Sequence, residues 1–122
     1  MLILTVEPGK APEAKEISGS LKEMQSIVGG FIQAIYPFED KVALVCNEEG
    51  LLLRLTPNRA LKDDDGNIYD VICGTFVLCG APADDDKFTS LTSEQIEQFY
   101  RQFHQPEIFV GMDGRIVCLP ME

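Results

Sequence analysis

The stretch IYDVICGTFVLCG, residues 68–80, decides how the chain is built. It is dense in β-branched and aromatic strand formers, and one glycine, Gly74, falls in its middle. Glycine inside a strand pattern marks a bulge or a close approach of another backbone. On its N-terminal side lies DDDGN, residues 63–67, where Asp and Gly supply the conformations of a turn. Further upstream, GLLLRLT (50–56) reads as another strand or as the lead into a short helical turn starting near Pro57, with NRAL following.

Working outward, KVALVCN (41–47) and FIQAIYPF (31–38) read as two strands of an antiparallel hairpin, with Pro37 placing the end of the first at an edge or bend. LILTVE (2–7), closed by Pro8 and Gly9, suits a buried strand, and AKEIS (14–18) a short second one. In SLKEMQSIVGG (20–30), Ser20 and Glu23 have capping-box spacing, Leu21, Met24, Ile27 and Val28 share a face, and Gly29 and Gly30 end the helix. TSEQIEQFYRQFHQP (92–106) repeats the capping pattern with Thr92 and Gln95. Leu91 and Ile96 are spaced as a hydrophobic staple, and Ile96, Phe99, Tyr100 and Phe103 form its apolar stripe. EIFVGMDGRIVCLP (107–120) predicts a terminal hairpin turning at Asp113 and Gly114. The expectation is a single α+β domain over residues 1–122, mainly antiparallel, with both principal helices on one face of the sheet.

Composition narrows the function classes. The chain has 122 residues, 45% of them hydrophobic, enough for one buried core. Twenty acidic against ten basic side chains give a net charge of -10, which repels a phosphate backbone and argues against direct nucleic-acid binding. The same charge serves solubility, or imitates a nucleic-acid backbone to occupy a DNA-binding enzyme. No run approaches a membrane span. Cys46, Cys73, Cys79 and Cys118 form no CxxC pair and sit among apolar neighbours, so they read as core thiols in a reducing, cytoplasmic setting.

Catalytic signatures are missing. His104 stands near the end of the last helix, where its cation suits the helix dipole, and has no ligand or base partner nearby in sequence. DDDGN lacks the glycine and terminal Glu spacing of a calcium loop, and ADDDK (83–87) reads as solvated surface. No cofactor or metal is expected. Arg59 draws attention because its planar fork holds carboxylate or phosphate, with Asn58 beside it. These two, with Tyr36, Asn47, Glu49, Tyr69 and Asp70, make a candidate ligand-binding patch. A structural alternative has Arg59 pairing with Asp70 or a loop carboxylate while Asn58 caps a turn.

The segments VEPGKAPEAKEISGSL, VGGFIQAIYPFED, VALVCNEEG, NRALKDDDGNIYDVICGTF and LTSEQIEQF together resemble the domain-of-unknown-function family 3846. These are small proteins of Firmicutes and of their phages, plasmids and conjugative elements. The resemblance covers residues 1–106 and leaves 107–122 as a hairpin extension. It implies an accessory protein of mobile DNA, adds Gly74 to the candidate ligand-binding patch, and carries over no catalytic residue. The function expected is a non-enzymatic binding module for a small polar ligand or a host protein, with a homo-oligomer left open. The alternatives are an acidic nucleic-acid mimic and a small enzyme using Arg59 to hold an anion and Asp70 or Glu49 as base.

Overall fold

Three strands that bury both of their faces organise the molecule. The structure, a computed structural model, describes residues 1–121. Its main sheet runs in the order β2 (Glu13–Glu16), β1 (Leu2–Val6), β7 (Phe76–Gly80), β4 (Val42–Asn47), β3 (Ile32–Ile35), antiparallel throughout. In β4, Val42, Leu44 and Cys46 point into one apolar cluster and Ala43 and Val45 into another on the opposite face. A strand buried on both faces needs cover on both. Helix α1 (Leu21–Val28) supplies it on one side through Met24 and Val28, and α2 (Ser93–Phe103) on the other through Phe99 and Phe103.

The chain is thus an α+β domain, but its helices lie on opposite faces of the sheet, not on one. The continuous apolar runs LILTV, VALVC and FVLCG are the cause, because none has the polar alternation of a strand with a solvated face. The α2 side is deepened by aromatic contacts: Phe38 meets Phe99 with ring centroids 4.7 Å apart, and Phe76 meets Phe103 at 5.5 Å. β2 lies at one edge of the sheet and is exposed along its length, with Glu13, Lys15 and Glu16 guarding it.

Gly74 is neither a bulge nor a mid-strand kink. It separates β6 (Ile68–Cys73) from β7, and the two belong to different sheets. β6 pairs only with β5 (Pro57–Lys62), a strand that starts at Pro57 where a helical turn was the other reading. The helical turn sits earlier, where Leu53 N donates to Glu49 O and Leu55 N to Gly50 O, and it ends with Arg54 at a φ of 57°. Leu61 and Ile72 carry the small sheet into the α2-side core.

Both helix starts follow their capping residues. The Thr92 and Gln95 box is complete. At α1, Ser20 accepts from Glu23 N as expected, but the Glu23 carboxylate reaches past Ser20 to Ser18 N and the Ser18 hydroxyl, at 2.6 and 2.7 Å. The terminal hairpin, β8 (Glu107–Met112) and β9 (Arg115–Pro120), forms as its own two-stranded sheet and rests against β5. No helix among the described residues is long and apolar enough to cross a membrane.

Candidate functional site

Residues 58 and 59 occupy the join between the small sheet, the main sheet and α2. Asn58 is fully buried: its Nδ2 donates to Val6 O at 2.8 Å and to Gly74 O at 2.9 Å, and its Oδ1 accepts from Arg59 Nη1 at 2.8 Å. Arg59 is 1% exposed. Its Nε and Nη2 both donate to Phe103 O, Nη2 also donates to Lys10 O, and Nη1 also donates to Asn58 O. A guanidinium has five N–H donors, and every one is used. Burial pulls the Arg59 pKa down, while Glu107 and Cys118 nearby work in the opposite sense.

The partner of Arg59 is therefore neither Asp70 nor a loop carboxylate. Main-chain carbonyls and the Asn58 side-chain oxygen take its donors, and no ion pair among the described residues includes it. Asp70 is exposed and its Oδ1 accepts from Val71 N.

The remaining sequence candidates do not converge on one patch. Gly74 joins Asn58 through its carbonyl, and its φ of 83° is one that glycine adopts freely. Asn47 is buried, donating to Val28 O and accepting from Glu49 N, so it fixes the end of β4. Asn47 and Asp70 share a cleft of about 150 Å³ with Cys46 and Cys73. Arg59 and Tyr69 border a different groove of about 250 Å³, with Lys62, Gln102 and Glu107. Glu49 belongs to a third, open depression with Leu52 and Arg54, which adjoins the Asp70 cleft because Glu48 and Leu51 border both. Tyr36 is exposed between β3 and β4 and borders none of these three.

Thiol chemistry is held back by the surroundings. Burial pushes the Cys79 thiol up to about 12, and burial with the Glu107 hydrogen bond and charge pushes Cys118 up to about 11. Cys46 and Cys73 are raised by burial first and by the Asp70 charge second. Protonated thiols are poor nucleophiles and poor metal ligands. Among the described residues no group of three or more His, Cys, Asp and Glu is placed to hold a metal. His104 caps the end of α2 and packs against Tyr100 with ring centroids 5.3 Å apart and the rings tilted at 58°. The Asp63 carboxylate is occupied in its own turn, accepting from Asp65 N and Asn67 N.

What sequence reasoning passed over is apolar surface. Leu51, Leu52 and Leu53 are 84%, 79% and 53% exposed. Gly50 seats this turn against β6, where a Cβ would meet Cys73 O at 2.8 Å. Leu51 then borders a groove of about 220 Å³ whose other walls include Pro57, Val71, Phe109, Val110 and Ile116. Three consecutive leucines directly after an acidic turn were the available signal. A run of that kind reads equally well as a buried strand, which hides its exposure.

No curated protein and no solved structure matches the chain. The family described as Domain of unknown function (DUF3846) matches residues 1–104, a span that contains both helices, the main sheet, the small sheet and the Asn58 and Arg59 network, and stops short of the hairpin. Over that span, which is most of its length, the chain belongs to the DUF3846 family.

Proposed function

We propose that this protein is a non-enzymatic binding module that docks on another protein through the leucine turn and the groove beside it. The observation that carries this is the cluster of Leu51, Leu52 and Leu53 standing in solvent next to a groove walled by Val110 and Ile116. Contiguous exposed apolar surface is costly in water and marks interaction sites. Glu48 and Glu49 flank the leucines, and the whole chain carries a charge of -10. A partner segment with one or two large apolar anchors flanked by Lys or Arg matches both features. The same charge weighs against an anionic membrane surface.

A small polar ligand gripped by Arg59 fits less well, since the guanidinium would have to release a carbonyl to take one. Nucleic-acid mimicry needs rows of free carboxylates, and Asp63 and Asp85 each spend an oxygen on their own turns. In the mobile-DNA setting that the family resemblance implies, the docking partner is a protein of the host.

The test is selection of a displayed random-peptide library on the wild-type protein, followed by binding measurements on Leu51→Asp. Peptides pairing large apolar residues with Lys or Arg should be enriched, and should lose affinity about tenfold or more on the variant and at raised salt. Failure to enrich any such peptide, or equal binding to Leu51→Asp, would sink the reading.

A further inference from the structure

We infer that the open edge of β9 is a self-association surface, and that its occupant is β9 of a second copy of this chain. β9 hydrogen-bonds to one neighbour, β8, in a two-stranded sheet, so among the described residues its other edge has no strand partner. Unpaired edges are templates for another strand, and natural sheets guard them with charge, bulges or brevity. This molecule does so elsewhere. Edge strand β2 is EAKE, charged at three of four positions, and β5 pairs with β6 through two register shifts.

β9 has no such guard along its middle. It pairs with β8 through six consecutive residue pairs with no bulge, and Ile116, Val117, Cys118 and Leu119 lie uncharged between Arg115 and Pro120. The outer face of the hairpin is apolar as well. Ile108 stands opposite Leu119 and Val110 opposite Val117, with Ile108, Val110 and Leu119 each more than two-fifths exposed. Met112 continues this face at 54% exposure.

Charge selects the second copy over other occupants. The hairpin carries only Glu107, Asp113 and Arg115, and is nearly neutral on a chain of net charge -10. A near-neutral apolar edge meeting its own twofold mate buries no unmatched charge, whereas a basic partner gains most at the acidic surfaces elsewhere. Antiparallel pairing of β9 with its mate would extend two marginal hairpins into one four-stranded sheet with a continuous apolar face. The family match ends at residue 104, before this hairpin begins. The surface meets the groove beside the leucine turn at Val110 and Ile116 but does not include Leu51, Leu52 or Leu53, so dimerisation would present two such turns on one particle.

Sedimentation equilibrium on the full chain, at low and raised salt, tests this. Wild type should approach twice the chain mass at high micromolar concentration, more completely at raised salt because the two acidic bodies repel. Ile116→Lys and Leu119→Lys should each weaken dimerisation by about tenfold or more, with far-ultraviolet circular dichroism unchanged, while Leu51→Asp leaves it alone. Should either Lys variant not fold, hydrogen exchange on wild type remains: slowing with concentration should be confined to β9 amides. A wild type that stays monomeric at raised salt, a dimer indifferent to both Lys variants, or concentration-dependent protection in β2 or α2 instead of β9, would each overturn the inference.

Discussion

Arg59 grips Phe103 twice: Nε at 3.1 Å and Nη2 at 2.9 Å both donate to the carbonyl oxygen of the residue that ends α2. A cation held there also faces the negative end of the helix dipole. The third hand of the fork, on Lys10 O at 2.6 Å, ties in the β1–β2 connection. The side chain thus fastens a helix and a loop to β5, and Asn58 next to it fastens β5 to the end of β1 and to Gly74 at the junction of β6 and β7.

Removing the fork should therefore unfold rather than merely disarm the protein. Arg59→Ala leaves the Phe103, Lys10 and Asn58 carbonyls without these donors in a buried site, and should cost about 3–5 kcal/mol in urea denaturation. Arg59→Lys should recover only part of that, because an ammonium cannot reproduce a planar fork. A loss under about 1 kcal/mol for Arg59→Ala would show that the network is not structural and would return Arg59 to candidacy as a ligand group.

Gly74 offers a second, separable test. Its φ of 83° disfavours any side chain, and a Cβ would lie 2.8 Å from Leu55 Cδ1. Gly74→Ala should cost about 1–2 kcal/mol from backbone conformation alone, with the Leu55 contact added. Combining it with Leu55→Ala should relieve the contact and leave the conformational part, a coupling that a double-mutant cycle measures. Simple additivity of the two substitutions would mean that Leu55 already moves aside without cost.

These two residues also show what could be read from the sequence. Strand content and both helix caps were legible because each is written in neighbouring residues: VALVC, Thr92 with Gln95, Gly29. The two-faced burial of β4 was written there too, in the lack of alternation, and places a helix on each side. The partners of Arg59 were not legible, since they are carbonyls 49 and 44 residues away and every residue has a carbonyl. Nor was the split at Gly74, because a positive φ between two strand patterns serves a bulge and a sheet change equally. Tyr36 stands apart from the adjoining Glu49 and Asp70 depressions, and Arg59 from both, for the same reason: their polarity is local information, and their convergence is not.

At α1, pH should act through Glu23. The Ser18 hydroxyl leads in holding its carboxyl below the usual value; desolvation, the next influence in size, opposes it, and the Ser18 and Gly19 N–H groups then add to the lowering. A carboxyl lowered in the folded state stabilises it above the unfolded pKa, and that contribution is lost as pH falls through the folded one. NMR titration should find Glu23 titrating below ordinary glutamates in wild type and moving upward in Ser18→Ala. Glu23→Gln should flatten the acid limb of the stability curve over the same interval. An unchanged Glu23 midpoint in Ser18→Ala would remove the hydroxyl as the leading cause.

The hairpin's attachment can be followed through Cys118. Its thiol donates to Glu107 Oε2, while Oε1 of the same carboxylate accepts from Ala60 N at 3.0 Å, so Glu107 connects β9, β8 and β5. With its pKa pushed up to about 11, Cys118 should alkylate much more slowly at mildly alkaline pH than an ordinary thiol. Because the folded pKa is raised, the associated stability is complete below the unfolded thiol value and is lost as pH climbs through the folded one. Glu107→Gln removes the negative charge and weakens the hydrogen bond, leaving burial as the main upward influence, so the rate profile should move to lower pH. Mass-spectrometric alkylation across pH separates this from simple detachment of the hairpin. A shifted midpoint reports the lost carboxylate, whereas a midpoint close to the ordinary thiol value, with full accessibility, reports that β8 and β9 have come away from β5.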